Sequence, residues 1–498
     1  MFGLYPVESV RAAELNVLAR EPEGSLMQTA ARGLAVRCVR LVREVRGSVV
    51  GARVVILAGA GNNGGDALFA GAHLADRGMA VEAVCLSDSF HDAGAAALVR
   101  CGGRVRGVEK VDVRTLIADA DLILDGIVGI GARGALREPA AGIVKQANGA
   151  DGLRVAVDLP SGVDADGGDV PGVAFDADVT VTFGCYKPGL FLHPASRYAG
   201  AVHLVDIGLT QELPEPQYRV LEAPDVASLV PPPNDDDHKY RRGVVAVAAG
   251  SGSFPGAAVL TAGAARYSGV GMVRFLDRGD GVATSVVSAY PDVVADASDL
   301  RQDPRVRAWV CGPGFTPEDG PTVRMVLESE APVVLDAGAL GCVADSTELR
   351  DLLAQRSTSG RITVITPHAG EFARLRQALG DLTNPREVAA ATGAIVLLKG
   401  PGSTIWTPEG ERFVDTAATA DLACAGSGDV LSGLLAGMLA ARPDVDPGLL
   451  AAGAVWLHGF AGRLAAGGEH PVVATDIRGA LPEAIARVRT GDLAGLRA

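Results

Sequence analysis

From Arg53 onward, short runs of β-branched residues alternate with longer helix-like runs, and most strand-like runs end in a glycine-containing turn. That alternation restricts the fold more than any other feature, because strands joined by crossover helices pair in parallel and need cover on both faces. Val54 to Ala58, Val81 to Cys85, Leu122 to Leu124, Val155 to Val157, Val179 to Phe183 and Val202 to Val205 read as buried strands of a first sheet. A helical segment from about Val7 to Arg46 precedes them. A second series runs through Val244 to Ala248, Met272 to Phe275, Trp309 to Cys311, Val333 to Leu335, Thr363 to Thr366 and Ile395 to Leu398, and the chain from Gly426 is mostly helical. Between the two series, 213–237 holds six prolines and ends in Asn234 followed by three aspartates, the composition of a linker. The expected architecture is α/β in two domains: a Rossmann-like doubly wound sheet over 1–212, and a second α/β domain over 238–498.

Composition suits that architecture. Hydrophobic residues make up 48% of the chain but aromatics only 4%, and 64 glycines leave many helix contacts to small side chains. A formal charge of −14 argues against a nucleic-acid partner or an anionic membrane surface. The start MFGLYPVESVRAAEL lacks a basic region followed by an apolar one, and no uncharged apolar run has the length of a membrane span, so a cytoplasmic location is expected. The seven cysteines show no CxxC spacing and read as buried free thiols. Only five of the 45 basic residues are lysines, and Lys187, Lys239 and Lys399 sit beside turns where a compact charge can meet an anion.

Three strand ends in the first half carry polar residues that parallel pairing brings to one edge. Gly59-Ala60-Gly61-Asn62-Asn63-Gly64-Gly65-Asp66 follows one strand, with helix expected from Ala67 to Arg77; Asp125-Gly126-Ile127-Val128-Gly129-Ile130-Gly131 and Asp158-Leu159-Pro160-Ser161-Gly162-Val163-Asp164 follow two others. The first is not the GxGxxG dinucleotide spacing. Asn63, Asp125 and Ser161 converge as an all-oxygen site for a hard cation, leaving Asp158 for acid–base work; the alternative is that the aspartates only cap helices and brace turns. In the second half, Ala423 to Asp429 places two glycines and a carboxylate at a helix start, an anion hole beside a base. On its own this heptapeptide fits either phosphoryl transfer to an alcohol, with Asp429 as base, or an ordinary glycine-rich helix cap.

GNNGGD, DGIVGIG, DLPSGVDAD and the Lys187-Pro188-Gly189 turn together resemble the NAD(P)H-hydrate epimerase domain over roughly residues 1–212. The resemblance implies that Asn63, Asp125 and Ser161 hold a potassium ion. It also implies substrate contacts from Asn62, Asn63, Gly64, Gly65, Asp66, Gly129, Ile130, Gly131, Ala132, Arg133, Gly134, Ala135 and Asp158, the last as the proton-transfer residue. Ala67 and Ala31 stand where that family usually has glycine.

The second half is similar to the ADP-dependent NAD(P)H-hydrate dehydratase domain of the ribokinase-like group. The likeness rests on His238-Lys239, Gly250-Ser251-Gly252, Gly312-Pro313-Gly314, Thr366-Pro367-His368-Ala369-Gly370-Glu371, Lys399-Gly400 and the Asp429 loop, in that order. It implies nucleotide contacts from Lys399, Gly400, Pro401, Gly402, Ser403 and Gly428, and contacts to the hydrated nicotinamide from Ala257, Gly314, His368 and Asp429. Magnesium would accompany ADP, giving AMP and phosphate. Gly338, in Asp336-Ala337-Gly338-Ala339-Leu340, stands where that family carries a second aspartate, and Asp292 replaces the usual glutamate after proline. The expected function is a bifunctional, homo-oligomeric repair enzyme that interconverts the R and S hydrates NADHX and NADPHX and dehydrates the S form. The rivals are a ribokinase-like small-molecule kinase and a catalytically silent scaffold.

Overall fold

The computed structural model describes residues 1–467 and 470–493; 468–469 and 494–498, all within the expected second domain, lie outside the described residues. The chain divides into two compact units, Gly3–Tyr218 and Met1–Phe2 with Arg219–Ala498.

The first unit contains a seven-stranded, wholly parallel sheet. Its strands are β1 (Arg53–Ala58), β2 (Ala80–Cys85), β3 (Arg104–Gly107), β4 (Leu122–Gly126), β5 (Leu153–Val157), β6 (Val179–Phe183) and β7 (Ala201–Val205), in the order β3-β2-β1-β4-β5-β6-β7. Alternate residues of β1 enter different cores: Val54, Ile56 and Ala58 pack on one face, Val55 and Leu57 on the other. A sheet buried on both faces has this pattern. The chain direction across the sheet reverses between β1 and β4, so a crevice opens where their carboxyl ends diverge. GNNGGD follows β1 and DGIVGIG follows β4.

Three expectations for this unit change. The N-terminal helical segment is two helices, Val7–Leu18 and Ser25–Arg46, interrupted at Pro22 to Gly24, where Gly24 takes φ 78°. The helix after β1 begins at Asn62 rather than Ala67, so most of the glycine-rich motif is a first helical turn and not a loop. β3 was not expected, because Arg104-Val105-Arg106-Gly107 is half-exposed at the sheet edge and too polar to read as a buried strand.

The second unit continues with β8 (Tyr218–Val220), β9 (Val244–Ala248), β10 (Met272–Leu276), β11 (Val294–Asp296), β12 (Val306–Cys311), β13 (Val333–Leu335), β14 (Thr363–Ile365), β15 (Ile395–Leu398), β16 (Thr404–Trp406) and β17 (Arg412–Val414). Their order is β8-β17-β16-β15-β14-β13-β12-β9-β10-β11, parallel except where β15, β16 and β17 form an antiparallel meander. The reversal falls between β12 and β9, so Gly312-Pro313-Gly314 and Gly250 face one another across a second crevice.

The proline-rich segment 213–237 is not a bare linker. It contains β8 and the helix Ala223–Leu229, which packs on helices Pro447–Ala466 and Ala474–Thr490. Leu221, Val226 and Leu229 are buried in that core, a stronger determinant than the surrounding prolines. Helix Pro447–Ala466 is long and apolar enough to cross a membrane by length and composition when its Arg463 is tolerated, but 78% of its most apolar window is buried inside the unit.

Helix Ser427–Ala441, which carries the Asp429 loop at its start, packs on Pro255–Ala265 through a small-residue contact. A Cβ on Gly433 would lie 2.1 Å from the Thr261 carbonyl oxygen, a backbone atom that cannot rotate aside. Gly433→Ala is therefore expected to destabilise the second unit by about 1–3 kcal/mol through overpacking. The readout is a lower urea midpoint for that unit's transition, with the first unit's transition unmoved.

Two candidate active sites

In the first unit the crevice between β1 and β4 brings together Asn63, Asp125 and Ser161, all buried. Ser161 Oγ donates to Asp125 Oδ1 at 2.7 Å, and the Ser161 backbone N–H donates to Oδ2 at 2.7 Å. The Val128 N–H donates to Ser161 Oγ at 3.1 Å, while Asn63 Nδ2 donates to the Val128 carbonyl at 3.0 Å. Burial pushes the Asp125 carboxyl up to about 6, against the pull of its bonds from Ser161 and Ile127. Among the described residues no basic side chain forms an ion pair with Asp125. A fully buried carboxylate, a hydroxyl, an amide oxygen and a carbonyl form an oxygen-only set that fits a hard cation and lacks one from the protein itself.

The glycines of this crevice serve close approach. A Cβ on Gly59 would lie 1.8 Å from the Ile127 carbonyl oxygen, and one on Gly64 would lie 2.2 Å from that of Gly59. Gly65 packs on His91, and Asn62 and Asp66 lie on the same helical turn, Asn62 exposed. Gly129 lies against Asn63. Gly131 approaches Arg11, whose Nη2 is 3.1 Å from the position of a Cβ there. Ile130 and Ala132 are half-buried, Arg133 and Gly134 are exposed, and Ala135 lies beside Gly172.

Asp158 follows β5 with φ 65°, a conformation uncommon for a residue with a side chain. Its Oδ1 accepts from Lys187 Nζ at 2.6 Å, Thr182 Oγ1 at 3.0 Å and the Phe183 N–H at 3.2 Å. Lys187 is only 1% exposed and also donates to the Phe183 carbonyl at 2.7 Å. With those three bonds on Oδ1, Oδ2 is the oxygen available to a substrate proton. Two further groups join the cleft. Burial, then the charge of Asp158, push Glu14 up, and the same two causes push Asp66 well above the usual carboxylate range. Glu14 and Arg11 belong to helix Val7–Leu18, whose sequence gives no sign that it borders a site.

In the second unit, Asp336 ends β13 and Lys399 follows β15; Lys399 Nζ lies 2.6 Å from Asp336 Oδ1, and Asp336 is 1% exposed. Gly428 packs directly on this pair, its Cβ position 3.2 Å from Lys399 Nζ and 3.9 Å from Asp336 Oδ2. Gly426 is the left-handed N-cap of helix Ser427–Ala441 (φ 88°), and Asp429 sits in the first turn. Burial pushes Asp429 up to about 7, Asp336 and Glu371 adding to the effect and Lys399 opposing it. Burial works against the Lys399 charge, but Asp336 outweighs it and the ammonium is held above its usual value.

The other expected residues surround this centre. Gly314, at φ 70°, faces Ala257, whose Cβ is 2.8 Å from the position a Cβ on Gly314 would take. His368 is exposed and caps helix Ala369–Ala378: its Nδ1 accepts from the N–H groups of Gly370 at 3.0 Å and Glu371 at 3.3 Å. In the neutral ring the proton is then on Nε2, which lies 3.4 Å from Glu371 Oε1. A bridge pairs the His368 backbone with Lys399. Gly400, Pro401 and Gly402 form a turn closed by Ser403 Oγ, 3.3 Å from both the N–H and the carbonyl of Gly400. Two supporting residues were not singled out as site residues. His458 is buried with Nε2 3.2 Å from Ser427 Oγ, and burial pushes it down to about 4, so it is neutral. Arg278 ties the Gly250 carbonyl to Asp319 across the crevice and lies over the Phe315 ring. Gly338 is more than a lost carboxylate: a Cβ there would lie 2.3 Å from the Phe315 carbonyl oxygen, so this backbone excludes any side chain.

Comparison with known proteins adds three findings. Residues 245–483 match the family model described as NAD(P)H-hydrate dehydratase, and 23–189 match the YjeF-related protein N-terminus. The bifunctional NAD(P)H-hydrate repair enzyme Nnr of Mycobacterium tuberculosis is 42% identical over 442 residues, covering 88% of this chain and 89% of that protein. The enzyme of the same description from Moorella thermoacetica is 34% identical over 523 residues, covering 96% of each. Among solved structures, the ADP/ATP-dependent NAD(P)H-hydrate dehydratase of Bacillus subtilis, co-crystallised with ATP/Mg2+, is 29% identical; it covers 54% of this chain and 97% of that chain with a TM-score of 0.44.

The raised Asp429 pKa has a sign that can be checked. Its folded value of about 7 exceeds that of an unfolded aspartate, so between roughly pH 4 and 7 the folded unit holds a proton that the unfolded chain has lost. This group's contribution therefore falls as pH rises through that window. Asp429→Asn is expected to flatten the fall, seen as a stability difference from the parent that grows from pH 4 to pH 7 in denaturant titrations.

Proposed function

This chain belongs to the family of bifunctional NAD(P)H-hydrate repair enzymes, and on that premise we propose how its two sites share the work. It is an NAD(P)H-hydrate epimerase in its first unit and an NAD(P)H-hydrate dehydratase in its second. The observation that carries the residue-level reading is the placement of Asp429 beside the Lys399–Asp336 pair, at the start of a helix whose first N–H groups face the same space.

In the dehydratase site, hydration has left a hydroxyl on the nicotinamide ring, a poor leaving group. Asp429 takes the hydroxyl proton as the oxygen attacks the terminal phosphoryl of the nucleotide and the nucleoside monophosphate leaves. The ring–oxygen bond then breaks with departure of phosphate, and the adjacent ring carbon gives up its proton to solvent as the ring double bond reforms. A base whose pKa lies near 7 is matched to that task at neutral pH. The N–H groups of Gly426 to Gly428 and the helix dipole stabilise charge on the phosphoryl oxygens. Lys399 and the Gly400–Ser403 turn hold the nucleotide, and Ala257, Gly314 and His368 border the nicotinamide. Magnesium, when bound, shields the phosphates. The described residues contain no cluster of three or more His, Cys, Asp or Glu able to cage a metal, so the nucleotide's own oxygens would supply most of its ligands. We assign ADP as donor, with AMP and phosphate as products.

In the epimerase site, Asp158 moves a proton at the hydrated ring carbon's hydroxyl, with Lys187 fixing its orientation. Asn62 to Asp66 and Gly129 to Ala135 line the substrate. The Asn63, Asp125 and Ser161 set suits potassium, which would supply the positive charge that buried Asp125 lacks.

Two outcomes are expected. Asp429→Asn lowers dehydration of (S)-NADHX with ADP by about 100-fold or more and leaves epimer interconversion intact, while Asp158→Asn does the reverse. Recovery of reduced-nicotinamide absorbance and chromatographic epimer ratios are the readouts. A stable phosphorylated product would favour the kinase reading, and two unchanged activities the scaffold reading. Second, the thermal midpoint of the first unit should rise in potassium chloride relative to choline chloride at equal ionic strength. Asn63→Ala should shrink that rise; an equal rise in the variant counts against the site.

A further inference from the structure

The second unit has a cavity of about 550 Å³ at the opposite edge of its sheet from the Asp429 site, where β9 and β12 begin. Five arginines line it: Arg241, Arg242, Arg307, Arg442 and Arg489. Asp237 answers Arg241 at 3.5 Å and Asp444 answers Arg442 at 3.2 Å. Among the described residues, no carboxylate forms an ion pair with Arg242, Arg307 or Arg489. Their protein bonds orient them without neutralising them: Arg242 donates to the Gly269 carbonyl at 3.0 Å, Arg307 to that of Arg241 at 3.1 Å, and Arg489 to Val230 at 2.5 Å and Pro231 at 2.8 Å. Each guanidinium has further N–H donors beyond these. Burial, and then repulsion from Arg242, hold Arg489 below the usual arginine value. In a chain with 59 acidic and 45 basic residues, three uncompensated arginines around one cavity run against the overall charge balance.

A neighbouring cavity of about 610 Å³ shares Arg307, Arg442 and Pro443 with the first. Its lining includes Leu300, Val306, Ile362, Leu439, Val445 and Leu450 together with the charged Arg301, Asp303 and Glu330, so a chamber with an apolar wall adjoins a cationic one.

We propose that this paired cavity binds a small organic phosphate, its phosphoryl oxygens among Arg242, Arg307 and Arg489 and its carbon skeleton toward the apolar wall. Guanidinium groups match phosphate geometry and can bond it in pairs. Three of them, from three separate segments, offer donors from more directions than the two oxygens of a carboxylate can accept. The site is distinct from the nucleotide site. Helix Ser427–Ala441 has Asp429 in its first turn and Ala441 on the cavity wall, a separation of roughly 20 Å at helical rise.

The test uses the full chain. Crystals soaked in tungstate, a phosphate mimic, should show an anomalous peak among the three guanidinium groups as well as any at the Gly426–Gly428 loop. By calorimetry, phenyl phosphate should bind more tightly than inorganic phosphate. Arg242→Gln/Arg307→Gln should weaken this binding by about tenfold or more, with both enzymatic activities and the thermal midpoint retained. If the double variant does not fold, Arg307→Gln alone carries the test, since among the described residues its guanidinium donates one hydrogen bond, to the Arg241 carbonyl. No tungstate at the cavity, unchanged phenyl phosphate binding in the folded variant, or equal affinity for the two phosphates overturns the proposal.

Discussion

Each unit is organised around a buried lysine–aspartate pair at the carboxyl edge of a parallel sheet, Lys187 with Asp158 and Lys399 with Asp336, both at 2.6 Å. A carboxylate taken out of water needs a charge partner or a dense set of donors, and removing one member of such a pair leaves the other uncompensated. The parallel sheet supplies the location, because every strand ends at the same edge and the order reverses where a crevice must open. Lysine scarcity then acquires a physical meaning: two of five lysines occupy buried crevice positions where a compact ammonium reaches an aspartate that arginine's wider fork would displace.

Much of this was legible in the sequence. Val244–Ala248 was read with its observed bounds because a strand buried on both faces is an unbroken apolar run, and Val179–Phe183 because its β-branched Val and Thr residues suit a buried strand. Several of the strands that were missed are edge or meander strands, Arg104–Gly107, Val294–Asp296, Thr404–Trp406 and Arg412–Val414, whose partial exposure admits polar residues and hides the period, while Tyr218–Val220 lay among prolines that read as linker. The meeting of Asn63, Asp125 and Ser161 follows from glycine-punctuated strand ends. Arg11, Glu14 and Arg278 carry no comparable signal. They reach the crevices through tertiary packing, and a charged residue on an amphipathic helix or after a strand looks the same whether it faces water or a cleft.

Departures from the family pattern also become physical statements. Ala67 stands where glycine is usual, and its Cβ is 2.6 Å from the position a Cβ on Gly126 would take; the absence of a side chain at Gly126 makes room for that methyl. Gly338 has the opposite character. The Phe315 carbonyl occupies the space a side chain would need, so the change at 338 and the path of the neighbouring backbone belong together. Restoring an aspartate there would demand a backbone shift and not merely a new charge.

The two sites treat their acid–base groups differently, and the lysines explain why. Lys187 bonds directly to the carboxylate assigned to proton transfer, while Thr182 and Phe183 add donors to the same oxygen. Lys399 instead bonds to Asp336, so Asp429 feels it only at a distance while sharing its surroundings with two other carboxylates. Burial then dominates and Asp429 is raised to about 7. A buried aspartate left beside a pair already formed binds a proton readily enough to take it from an alcohol. Gly428, packed on the Lys399–Asp336 pair without a side chain, leaves that pair and Asp429 in contact with the same space.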